Sequence, residues 1–190
     1  MWHAKCNNLH TANEEISWTD SVLYLGVFVT SASKFTCNYD RCKANFYASF
    51  NAIFSKLGRI GHPIVTLNLV SSIALPCLLF ATEALPLTKT TMKVVEHPWS
   101  RISMKTFSTL DLETIRQCQY FTDFLPVEHL ISARKVDFIK SLESSPHPVL
   151  QSLFKNSFNT ELKAIASEYN VDMITLIKNS KRVMREYFSL

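Results

Sequence analysis

Between Ile60 and Thr82 the chain carries no formal charge, and Ile64, Val65, Leu67, Leu69, Val70, Ile73, Leu75, Leu78, Leu79 and Phe80 are apolar. A run of this length and hydropathy has two homes, a bilayer or a protein core. Thr66, Asn68, Ser71 and Ser72 interrupt it, and Pro76 removes a backbone donor inside it. The expected outcome is a buried core helix, kinked or ended near Pro76 and finishing around Ala84 to Pro86, with no membrane span.

The rest of the composition agrees with a helical core. Of 190 residues, 47% are hydrophobic, 13 are Phe and only 3 are Gly, which favours helices over a turn-rich β-sandwich. An amphipathic helix is predicted from Tyr39 to Leu57, with Asn38 as its cap. Phe46, Phe50, Ile53, Phe54 and Leu57 form its apolar face, and Lys43 lies at the edge. A further helix is expected from Thr88 to Phe107, kinked or split at Pro98. Others are expected over Leu112 to Phe121, after Pro126, around Thr160 to Tyr169, and from Asp172 to Phe188. Ser144-Ser145-Pro146-His147-Pro148 is the best linker.

Strand character is confined to the N-terminal part. Glu15 to Trp18 and Val22 to Val29 read as two short strands joined across Thr19-Asp20-Ser21. Within the second, Val22, Tyr24, Gly26 and Phe28 alternate with Leu23, Leu25, Val27 and Val29. The predicted faces are therefore one all-aliphatic and one aromatic with a gap at Gly26, where a backbone or ligand could come close.

The net charge of +4 is unevenly placed. Lys34, Arg41, Lys43, Lys56 and Arg59 face one acid, Asp40, and Lys89, Lys93, Arg101 and Lys105 face Glu96. Such zones suit a phosphate backbone, and they equally suit ordinary solvated faces. Trp99 and the Phe stripe have helical spacing, which favours core packing over base stacking. The 5 cysteines are odd in number and lack the paired spacing of a zinc site. With a polar N-terminus, they read as reduced thiols in an intracellular protein, nuclear or cytoplasmic. No Gly-x-Ser-x-Gly elbow or His-Glu-x-x-His run is present. Glu128-His129 reads as a solvated helix start. No two aspartates are adjacent, and the pair Glu14-Glu15 is not expected to hold metal.

Trp18-Thr19-Asp20 with Tyr24-Leu25-Gly26 resembles the Trp-x-Asp…Tyr-Leu-Gly signature of reverse transcriptases from LINE-type (non-LTR, jockey-like) retrotransposons. The likeness continues in order through Phe35-Thr36-Cys37, Arg41, Phe46-Tyr47-Ala48, Asn51-Ala52-Ile53-Phe54 and Lys56-Leu57-Gly58-Arg59. It extends through Pro76-Cys77-Leu78-Leu79-Phe80, Glu83-Ala84, Arg134-Lys135, Phe138-Ile139 and Leu142. It covers roughly residues 5–154. Ala81 departs from it, standing where the family often has glycine.

The resemblance implies a mainly α chain, with an N-terminal β-hairpin (15–29) ending a palm-like sheet and a thumb-like helical bundle after it. Residues 1–36 would be the palm remnant with its primer grip, 37–145 the thumb-like region, and 146–190 a helical extension. A thumb follows the template–primer duplex, RNA–DNA or RNA, through its backbone. The residues placed to do so are Tyr24, Gly26, Lys34, Arg41, Lys43, Lys56, Arg59, Lys89, Arg101 and Lys105. The family's catalytic aspartates and the Mg²⁺ they hold belong upstream of this sequence, so no catalytic residue, metal ligand or cofactor is expected here. The chain is expected to be a fragment inactive alone. The alternative is a non-enzymatic helical interaction module, with self-association through exposed apolar faces.

Overall fold

The computed structural model describes residues 9–10, 15–33, 36–57, 61–85 and 87–188. They are mainly helical, with a small N-terminal group of antiparallel strands, and the chain divides into two units, 1–38 and 39–190.

In the first unit β1 (Leu9–His10) pairs with β2 (Glu15–Ile16), and β3 (Ser21–Tyr24), β4 (Val27–Thr30) and β5 (Thr36–Asn38) form a second sheet in that order. The expected single strand Val22–Val29 is in fact a hairpin spanning β3 and β4, so the 15–29 boundaries are also corrected. Tyr24 pairs with Val27 across a two-residue turn, Leu25-Gly26. Both turn residues have positive φ, 46° and 87°. This is the requirement of the primed turns, whose twist matches that of the strands. Gly26 adopts it freely, whereas Leu25 does so at a cost of about 1 kcal/mol.

The turn resets the alternation. Directly opposed residues share a face, so Val22 and Val29 lie with Tyr24 and Val27, and Leu23 lies with Phe28. The predicted aliphatic and aromatic faces do not form. Val22, Leu23, Tyr24 and Leu25 are all exposed. The Thr30 and Thr36 hydroxyls, 2.7 Å apart, tie β4 to β5.

In the second unit α1 (Asp40–Leu57) buries Cys42, Phe46 and Phe50. Asn38 is the last residue of β5, two positions before this helix begins, and the Tyr39 carbonyl accepts from the Lys43 N–H at 2.9 Å. The apolar run then forms α2 (Pro63–Leu69), a π turn (Val70–Ala74) and α3 (Leu75–Leu78) in unbroken succession. The wide turn comes immediately before Pro76, with Leu75 N–H bonded to the Val70 carbonyl, and so accommodates the ring that would crowd a regular ladder. The helix stops at Leu78, earlier than expected, because Ala81 turns left-handed (φ 60°) and the buried Thr82 hydroxyl donates to the Leu79 carbonyl at 2.8 Å.

One side of this run is core: Leu67, Val70, Ala74 and Leu78 are fully buried, whereas Val65, Ile73 and Phe80 are exposed. Among the described residues no helix is long and apolar enough to cross a membrane. Ala81→Gly should stabilise the fold by about 0.5–1 kcal/mol, since only glycine adopts this φ without penalty. A rise in the thermal midpoint checks it.

α4 (Lys89–Phe107) is capped by the Thr88 hydroxyl and passes through Pro98 as one helix, not two pieces. α5 (Leu112–Thr122) starts at the Asp111 carboxylate, which accepts from the Thr114 N–H at 2.9 Å. α6 (Val127–Glu143) is the central element, buried on more than one face. Beyond Ser144 come α7 (Pro148–Leu153), a second π turn (Phe154–Phe158), α8 (Asn159–Glu168) and α9 (Met173–Phe188). Asp172 caps α9 as expected, accepting from Thr175 N–H at 3.0 Å. Val136 and Ile139 of α6, Leu162 of α8, and Leu176 and Met184 of α9 share one core. That core also buries Lys135 of α6, which is paired with Glu161 of α8.

Candidate nucleic-acid interface

The buried side of α4 is Val95, Trp99, Ile102 and Ser103. The opposite side carries Lys89, Lys93, His97, Arg101 and Lys105, all exposed. These follow one another at i, i+4, the ridge spacing of a helix, and so cover about 24 Å of its axis at about 1.5 Å per residue. Glu96, half-buried, is the only carboxylate in the helix. Among the described residues Lys89, Lys93 and Arg101 have no ion-pair partner. Four cations in a line, unneutralised and facing water, can contact successive phosphates, but they have no fixed geometry for reading bases. The i, i+4 spacing of His97 with its neighbours was the sequence signal for its membership.

Lys105 connects this ridge to α1. Its ammonium sits 4.2 Å from the Phe54 ring centroid and 5.2 Å from that of Phe50, an attraction worth about 0.5–1 kcal/mol at an exposed site. Lys56 is exposed in the last turn of α1, two residues beyond Phe54 and so on a different side of the helix. Arg41 is exposed at the other end of α1. Lys43 is half-buried and bonded to Asp40 at 2.6 Å, which neutralises it. Tyr24 and Gly26 belong to the N-terminal unit, Tyr24 exposed and Gly26 in the hairpin turn. Lys34 and Arg59 lie outside the described residues. Trp99 is 1% exposed and is a core residue.

One expectation is overturned at the start of α6. Glu128 is exposed, but His129 is buried. Its Nδ1 is 2.7 Å from the Tyr169 hydroxyl, and its Nε2 is 3.7 Å from Glu128 Oε1. The rings of Tyr187 and Phe188 close over it at 6.0 and 5.6 Å. His129 precedes Ala133 by four and Val136 by seven, and that spacing placed it on a core face. Burial pushes the Tyr169 phenol up to about 12, so it stays protonated beside Nδ1. Burial also holds the His129 imidazole below its ordinary value.

The unfolded chain therefore takes up a proton near pH ~6.5 that the folded chain refuses. The stability from this site is full above that pH and lost as pH falls through the folded value. Thermal melts should show the midpoint dropping on acidification from about pH 7.5 to about pH 5, and His129→Gln should remove part of that slope.

Cys42 is buried in α1, and burial pushes its thiol up, which makes it a poor nucleophile. Among the described residues no group of three or more His, Cys, Asp or Glu could hold a metal ion. Compared with known protein families, curated proteins and solved structures, the chain matches none.

Proposed function

We propose that the helical unit binds the sugar–phosphate backbone of an RNA-containing duplex, as the thumb region of a LINE-type reverse transcriptase would. The unpaired ridge Lys89–Lys93–Arg101–Lys105 on the solvent side of α4 carries this reading. Two local features support the family resemblance. Ala81, where the family often has glycine, has a left-handed φ of 60° that glycine prefers. Leu25-Gly26 of the Tyr-Leu-Gly signature forms the tight turn of a hairpin, the element the family uses as primer grip.

The proposed role is binding. Fluorescence anisotropy with RNA–DNA duplexes of unrelated sequence tests it. Affinity should be similar among sequences and fall steeply with salt. Absence of binding at low salt would remove the proposal.

A further inference from the structure

A second feature, independent of the ridge, is a groove of about 1000 Å³ whose walls come from α4, α5, α6 and the end of α9. We propose that it binds an organic cation of the quaternary-ammonium class. The rings are grouped: Phe188 lies 5.6 Å from His129 and 6.5 Å from Tyr120, and Tyr187 lies 6.0 Å from His129. Tyr120 and Tyr187 are also 39% and 43% exposed, so ring surface is open to a ligand.

The charge on the walls has one dominant sign. Glu96, Glu113 and Glu128 stand against a single cation, Arg116. Among the described residues Glu96 and Glu113 make no ion pair, and Glu128 faces only His129, which is uncharged at neutral pH. Ring faces and carboxylates together attract a cation and repel a polyanion such as nucleic acid. A methylated ammonium is weakly hydrated and meets ring faces directly. The same headgroup occurs free, as in choline, and on a peptide, as in trimethyl-lysine.

The full chain, labelled with ¹⁵N, would be titrated with tetramethylammonium chloride, using sodium chloride at equal ionic strength as reference. Saturable shifts at His129, Tyr187 and Phe188 are expected. Tyr187→Leu should weaken binding about fivefold. The double variant Glu113→Gln, Glu128→Gln alters two exposed carboxylates, keeps their size and should weaken it at least as much, with circular dichroism checking that the helices remain. Parallel titrations with choline and with a trimethyl-lysine peptide identify the source by which binds more tightly at the same residues. Shifts that do not saturate, that sodium reproduces, or that persist unchanged in the double variant would overturn the proposal.

Discussion

Replacing Lys89, Lys93, Arg101 and Lys105 together by glutamine is expected to weaken binding of an RNA–DNA duplex by about a hundredfold at low salt. The steepness of the salt dependence should fall with it. Each phosphate contact contributes about 0.7–0.9 to the slope of log affinity against log salt, so losing four lowers the slope by about 3. These are exposed positions on the solvent side of α4, and glutamine is a good helix former. The fold should therefore lose no more than the Lys105 contact with Phe54, about 0.5–1 kcal/mol. Circular dichroism of the variant separates lost binding from lost structure. If the slope is unchanged while the helix stays intact, the ridge is an ordinary solvated face.

Trp99→Ala should act in the opposite way. The side chain is 1% exposed, and removing a buried Trp from a packed core costs about 3–5 kcal/mol in lost burial and cavity. Trp99→Phe should cost less than the alanine change, because most of the ring volume stays in the core. The indole Nε1 has no hydrogen-bond partner among the described residues, so phenylalanine gives up volume and no bond. Urea denaturation of both variants checks the ordering. A base-stacking tryptophan would give the reverse pattern, with duplex affinity lost and stability kept.

Helices were legible wherever one apolar face met one polar face over several turns. α1, α5 and α9 start within a residue or two of their expected places because Phe46 and Phe50, the Asp111 cap and the Asp172 cap are local signals. The hairpin was hidden because its turn begins with leucine. Leu25 has the pattern of a strand residue, and nothing local announces that it will take a positive φ. His129 was misplaced because charge at Glu128 was read as the environment of both residues, whereas on a helix neighbours in sequence point about 100° apart. The basic clusters were visible as composition. What only the structure gives is that four of these cations face water on one ridge without counter-ions, and that Lys43 does not belong with them.

The π turn between Val70 and Ala74 has a consequence for how this segment tolerates changes in length. Such a turn holds one residue more than a regular helix would use over the same rise. Everything after it is rotated by about 100° relative to an uninterrupted ladder. That offset sets which of Leu75, Leu78 and Leu79 face inward and leaves Pro76 on the outside. Deleting Ser71 would give the helix a regular ladder and yet turn its last leucines out of register with α1. The irregular turn is thus a phase adjuster, and the sequence on either side of it is written for two different faces.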